Sequence, residues 1–189
     1  MRTLASFLMV SLDGYFEAGS PEDFDWHNVD DEFNDFAVEQ LDASDCLLCG
    51  RVTYQGMAGY WPTPAAIEDD PQVASRMNKT SKIVISRTLD RPDPDWNNTR
   101  LIRANVRDEM SKLKEQPGKD LLVLGSSNLT ASLMSMGLLD QLRIMVNPIV
   151  LGEGHSVLRT TNQRTRLKLL KHRMFRSGNV LLTYEPQRP

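Results

Sequence analysis

Cysteine is scarce: the 189-residue chain has two, Cys46 and Cys49, in Asp45-Cys-Leu-Leu-Cys-Gly50. The spacing is C-x-x-C, but no second pair exists to complete a zinc site. On a strand, residues three apart point to opposite faces, so the two thiols are badly placed to bridge. They read as small buried residues of a core strand, with a redox pair as the alternative. His155 and His172 show no partner pattern, and His27, near Trp26 in a polar loop, reads either as a substrate contact or as a solvated residue, so neither a metal set nor a nucleophile constellation is visible. Basic residues are not in excess: 22 Lys and Arg face 25 Asp and Glu, for a formal charge of −3. Without a basic cluster or tail, nucleic acid is not the expected partner. No apolar run approaches the roughly 20 residues of a membrane-spanning helix. Met1 to Val10 has the apolar character of a short secretion signal, but Asp13-Gly14-Tyr15-Phe16 follows in place of a small-residue cleavage site. The stretch therefore reads as a first strand and the protein as cytoplasmic. Repeats and low-complexity tracts are also missing, and the length suits one domain, residues 1–189, with a full core.

What is present alternates between strand and helix. Residues 2 to 12 form a strand ending at the Asp13-Gly14 turn. A polar loop over 17 to 30 holds Phe24, Trp26 and His27. A helix capped by Asp30 or Asp31 runs to about Leu41, with Phe33, Phe36, Ala37 and Leu41 on one face. Ser44 to Cys49 is a strand, and Gly50-Arg51-Val52-Thr53 turns into a short helix from Tyr54 to about Tyr60. Residues 65 to 70 read as loop, and Pro71 opens a helix to about Asn78. Lys82 to Ser86 and Thr99 to Arg103 are strands around a loop, Asp90 to Asn98, that contains Pro92 and Pro94. Asn105 caps a helix from Val106 to about Lys114. Leu121 to Leu124, apolar without alternation, is a strand covered on both faces. It leads through Gly125-Ser126-Ser127-Asn128 into a helix ending near Gly137. Leu139 to Val146 is a strand, and residues 166 to 176 and 179 to 185 form a hairpin about Ser177-Gly178-Asn179. The pattern is α/β: one three-layer domain whose sheet is mostly parallel and closes with antiparallel C-terminal strands.

Three turns carry small or basic polar residues: Gly50-Arg51-Val52-Thr53, Ser86-Arg87-Thr88 and Gly125-Ser126-Ser127-Asn128. Ligands of open α/β sheets bind at the carboxyl ends of parallel strands, so neighbouring strands would bring these turns together. Arg51 and Arg87 offer two guanidinium forks for phosphate. Thr53, Ser86, Thr88, Ser126 and Ser127 add hydroxyl or backbone donors. Free N–H groups at the helix start after Gly125 complete an anion cradle. Each feature alone is an ordinary turn or surface charge; together they describe a site for a phosphate-rich ligand such as a dinucleotide.

In order along the chain, Ser11-Leu12-Asp13-Gly14-Tyr15, Gly50-Arg51-Val52-Thr53-Tyr54, Tyr60-Trp61-Pro62, Lys82 to Leu89, Val123-Leu124-Gly125-Ser126, Leu138 to Leu142 and Pro148 to Gly154 resemble the dihydrofolate reductase-like superfamily. The branch most similar is the riboflavin-biosynthesis reductase domain, the RibD C-terminal type. The resemblance implies NADPH as cofactor, with the adenosine phosphates on Gly50, Arg51, Thr53, Ser86, Arg87 and Thr88. It puts the pyrophosphate on Gly125, Ser126, Ser127, Asn128 and Leu129, and the nicotinamide beside Leu12 to Gly14. It also implies a homodimer. Two departures stand out: Ser126 where relatives carry a second glycine, predicting a less permissive turn, and Asn147 where they often carry His. The first helix offers Asp31, Glu32, Asp35 and Glu39, with no clear match to the pterin-binding acid of dihydrofolate reductases.

On the substrate side, Asp13 is suited either to contact an amino-pyrimidine or organise a proton-donating water, or merely to shape its turn. Trp26 and Trp61 could stack on a heterocycle or pack locally. The combined expectation is an NADPH-dependent reductase acting on a small pterin-, pyrimidine- or aminouracil-like molecule, similar to 5-amino-6-(5-phosphoribosylamino)uracil reductase. The alternatives are a nucleotide-binding module without turnover, and a dihydrofolate reductase-like enzyme on another substrate.

Overall fold

Every residue of the first strand, Leu4–Ser11, is buried, as expected of a strand with helices on both faces. The computed structural model describes residues 1–19, 23–93, 96–161 and 164–187; Pro94, assigned above to a loop, lies outside them. In chain order the elements are β1 (Leu4–Ser11), β2 (Tyr15–Glu17), α1 (Asp31–Asp42), β3 (Ser44–Gly50), α2 (Arg51–Tyr60), α3 (Pro64–Asp69), α4 (Pro71–Lys79), β4 (Ser81–Ile85), β5 (Thr99–Ile102), α5 (Val106–Glu115), β6 (Asp120–Leu124), α6 (Ser127–Ser135), β7 (Gln141–Asn147), β8 (His155–Ser156), β9 (Leu167–Met174) and β10 (Val180–Pro186).

Eight strands form one sheet in the order β5-β4-β3-β6-β1-β7-β10-β9. All pairings from β5 through β7 are parallel; β10 lies antiparallel between β7 and β9. The chain leaves a gap between β1 and β3 that β6 fills later. Two apolar layers sandwich the sheet. On one face α1, α2 and α4 place Phe36, Leu41, Tyr54, Ala58, Val73 and Met77 on Ala5, Phe7, Leu47, Cys49, Val84 and Leu122. On the other, α5 and α6 place Met110, Leu113, Leu129, Leu133 and Met134 on Leu4, Leu8, Cys46, Leu48, Ile83, Leu121 and Val123. Cys46 and Cys49 thus face opposite layers, both free and buried. Burial pushes their thiols up to about 11 and about 12, which leaves them unreactive.

The structure departs from the sequence reading in three places. α2 starts at Arg51, not Tyr54, because extended Gly50 already serves as its N-cap. Residues read as loop form α3, with Pro64 in its first turn and the Thr63 hydroxyl accepting from the Ala66 amide at 3.3 Å. A small second sheet pairs β2 with β8. These strands have three and two residues, too short for any alternation to show.

Below the site, Lys82 is 1% exposed. Its ammonium donates to the carbonyls of Met77, Asn78 and Thr80 at 2.9, 3.1 and 2.7 Å, closing the C-terminus of α4. It also lies 4.6 Å over the ring of buried Trp96.

Candidate functional site

β4, β3, β6 and β1 are consecutive neighbours in the sheet. The turns after them, at Ser86–Thr88, Gly50–Thr53, Gly125–Leu129 and Ser11–Gly14, therefore share its carboxyl edge. α2 after β3 and α6 after β6 have no side-chain cap, and neither has α5, where left-handed Asn105, expected to cap it, makes no side-chain capping bond. By contrast, Asp30, Thr63 and Asp70 cap α1, α3 and α4. Two helix starts with unclaimed N–H groups thus point at one place.

Between them the backbone is tightly folded. Gly125 and Ser126 are both left-handed, at φ 54° and 57°. A Cβ on Gly125 would come 3.2 Å from Thr53 Cγ2, so this close approach requires glycine. Ser126 Oγ accepts from the Gly50 amide at 2.9 Å and donates to Thr53 Oγ1 at 2.8 Å. The Ser127 hydroxyl accepts from the Leu158 amide at 2.9 Å. Leu129 turns its side chain into the core, while Asn128 is exposed. Leu129 can therefore offer only its backbone.

On the α2 side of this edge lies a cleft of about 430 Å³ lined by Arg51, Gln55, Thr88, Leu89, Asp90 and Arg91. Arg51 donates to Gln55 Oε1 at 2.9 Å. Arg87 is exposed and not part of this lining; Arg91, in a segment the sequence marked only as loop, supplies the second cation. The signal was present as a second arginine four residues on, but both are exposed and nothing in sequence says which of the two lines the cleft. Ser86 is buried and its hydroxyl accepts from the amides of Thr88 and Leu89 at 3.1 and 3.0 Å, so it shapes the turn. Opposite, Arg103 donates to the Asp90 carbonyl and holds the loop wall.

At the β1 end, Asp13 Oδ1 accepts from Ser11 Oγ at 2.6 Å and from the Leu151 amide at 3.2 Å, and Oδ2 accepts from the Gly152 amide at 2.8 Å. The Ser11 hydrogen bond leads in holding its carboxyl below the usual range. Asp13 is therefore an ionised acceptor that ties the post-β7 loop to β1, a poor proton donor. That loop is stitched further by Leu12 N–H to Ile149 and Val157 N–H to Gly14. Its course from Ile149 to Leu158 links the Asp13 turn to the start of α6.

Of the two candidate stacking residues, Trp26 is buried and Trp61 half-buried. The Trp26 indole donates to the Asp23 carbonyl at 3.1 Å. Trp61 caps α2, packs on the α1/α2 layer and sits edge-on to Tyr60. On α1, Glu32 is bound by Arg173 and Arg176, while Asp31, Asp35 and Glu39 are exposed. Asn147, fully buried, accepts from the Asn28 amide at 3.0 Å and donates to the Val10 carbonyl at 3.2 Å, anchoring the loop before α1.

His27, beside that anchor, has a buried Nε2 with no partner among the described residues. Burial pushes it down to about 4, partly offset by Asp23. Its folded-state value lies below the ordinary 6.5. The associated stability is therefore present above about pH 6.5 and lost as pH falls through 4, up to about 3 kcal/mol. Trp26, whose ring centroid is 4.2 Å from that of His27, should change emission over this range. In His27→Gln the profile should be flat; an unchanged profile would show that His27 is not the titrating group.

The model of the RibD C-terminal domain matches residues 2–181. The chain belongs to the RibD C-terminal domain family. It is 33% identical to the uncharacterised protein YyaP of Bacillus subtilis (strain 168) over 179 residues, covering 94% of this chain and 91% of that protein. Among solved structures it resembles a provisionally named riboflavin biosynthesis protein from Shewanella sp. PV-4, at TM-score 0.74 and 21% identity over 98% of this chain and 99% of that one. It also resembles a dihydrofolate reductase from Enterococcus faecalis complexed with NADP(H), at TM-score 0.57 and 14% identity over 98% and 97%. The RibD C-terminal chain thus has the dihydrofolate reductase-like fold, and no helix among its described residues is long and apolar enough to cross a membrane.

Proposed function

We propose that this RibD C-terminal protein, one reductase domain over residues 1–189, is a cytoplasmic NADPH-dependent oxidoreductase. It would reduce a pterin-, pyrimidine- or aminouracil-like heterocycle, with the 5-amino-6-(5-phosphoribosylamino)uracil type as nearest model. The observation that carries this reading is the meeting of two uncapped helix starts with the Arg51/Arg91 cleft on one sheet edge. The residues fit a dinucleotide. Left-handed Gly125, where a side chain would be strained, packs its backbone against Thr53 at the mouth between the two helices, the starts of α2 and α6 suit a pyrophosphate, and two guanidiniums suit a further phosphate. Bound NADPH would supply the hydride. The chain binds and orients, with the Asp13-fixed loop bordering the nicotinamide end.

The commitment of Asp13 to Ser11, Leu151 and Gly152 favours one second reading, a nucleotide-binding module without turnover. Titration with NADPH and NADH, then NADPH oxidation against pterins, aminouracils and carbonyls, separates the two. Binding with turnover on any of them supports the reductase. Tight binding without turnover supports the module, and no binding of either nucleotide overturns both.

We also propose a homodimer built on the C-terminal hairpin. Edge strand β9 exposes Leu169 at 49% and Met174 at 76%. Register puts them with half-buried Tyr184 and Val180 on one sheet face, an apolar surface of the kind that marks contact sites. Leu169→Glu with Met174→Glu should convert a dimer to a monomer in light scattering at micromolar concentration; a wild-type monomer would reject the assignment.

A further inference from the structure

A left-handed backbone position disfavours any side chain beyond glycine, yet Ser126 occupies one directly after left-handed Gly125. Its hydroxyl sits inside a directed chain. The Gly50 N–H can only donate, and it donates to Ser126 Oγ at 2.9 Å. Ser126 passes its own proton to Thr53 Oγ1 at 2.8 Å. A hydroxyl has a single proton, so Thr53, already accepting from Ser126, must point its proton elsewhere. No described residue accepts it. Thr53 lies in the first turn of α2 with its methyl against the Gly125 turn, so that proton is next to the mouth shared by α2 and α6.

We propose that Ser126 is a positioning residue that orients the Thr53 hydroxyl as a hydrogen-bond donor to an anionic oxygen held between the starts of α2 and α6. The proposal rests on the nucleotide reading above, with the pyrophosphate as the anion. With glycine at this position the donors would differ. The Gly50 amide would lose its internal acceptor, and the Thr53 hydroxyl would be free to bond back to its own helix. Serine replaces that arrangement with one preset side-chain donor, and chains of hydrogen bonds aligned head to tail reinforce one another.

The test is a cycle read as NADPH affinity by fluorescence in wild type, Ser126→Ala, Thr53→Val and the double variant. Thr53→Val, which loses a charge-assisted bond, should weaken binding about 10-fold, and Ser126→Ala about 5-fold. If Ser126 acts through Thr53, the double variant binds no more weakly than Thr53→Val alone. Additive losses, or unchanged affinity in Ser126→Ala, overturn the proposal. Ser126→Gly, which suits the backbone and should melt no lower than wild type, must show the same loss as Ser126→Ala, or the effect is one of folding. In the ligand-free protein the Gly50 amide should exchange slowly in wild type and fast in Ser126→Ala; fast exchange in wild type also overturns it. Inorganic pyrophosphate, titrated in parallel, separates the two readings. Binding of pyrophosphate but not NADPH removes the proposed function and leaves the cycle to be read on pyrophosphate. Binding of neither removes both.

Discussion

Arg51→Ala combined with Arg91→Ala should raise the dissociation constant for NADPH about 50-fold and change that for NADH by no more than about threefold, since each guanidinium–phosphate contact contributes roughly 1–2 kcal/mol when partly exposed. Both residues line the cleft beside Thr88, and under the proposed function only NADPH, through its 2′-phosphate, brings a dianion to it. Arg87→Ala should cost less than about threefold, because a solvated charge outside the cleft acts only through a screened field. The comparison is direct in isothermal titration of the three variants at a single salt concentration. Equal losses for NADPH and NADH would place the cleft elsewhere on the nucleotide, and a large effect from Arg87 alone would reverse the assignment. Because Asp90 also lines the cleft, Asp90→Asn should tighten NADPH and leave NADH nearly unchanged.

Lys82→Met should lower stability by about 3 kcal/mol at neutral pH, near 8 °C in melting temperature for a domain of this size. The methionine fills the volume but leaves three carbonyls at the end of α4, from Met77, Asn78 and Thr80, without their donor. Removing the buried charge recovers part of that loss. Burial lowers the ammonium to about 8, against an ordinary 10.5. Between these values the unfolded chain holds a proton that the folded one has released. Wild-type stability from this group therefore rises with pH across the window, and the gap to Lys82→Met should widen from pH 7.5 toward pH 10. Urea denaturation of both proteins at several pH values measures it. A gap that narrows would show that the carbonyls hold the ammonium charged despite its burial.

The sequence exposed most of the frame because the strands are apolar runs bounded by turns and the helices carry one apolar stripe. Leu121 to Leu124 and Ser44 to Cys49 needed nothing more. The antiparallel hairpin was visible in Ser177-Gly178-Asn179. What stayed hidden depends on side-chain direction or on pairing between distant segments. Arg87 and Arg91 are equivalent in sequence, and only the path of the loop after β4 decides which lines the cleft. Asp13 met its acceptor role through amides 138 and 139 residues away. Ser126 drew attention as a bulkier residue at a glycine-like turn, but its hydroxyl lies 76 residues from the Gly50 amide that it accepts from. Residues 65 to 70 carried no apolar stripe to mark a helix, although Thr63-Pro64 starts one.

The placement of Cys46 in one apolar layer and Cys49 in the other has a practical consequence. The protein carries its own two-channel opening gauge. A thiol reagent can reach either sulfur only when the helices on that side lift away. Pulse labelling followed by peptide mass mapping would therefore time the exposure of each layer separately, in unmodified protein. If both positions label at one rate, the sandwich opens as a single unit. If Cys49 leads, the side of the sheet covered by α1, α2 and α4 opens first.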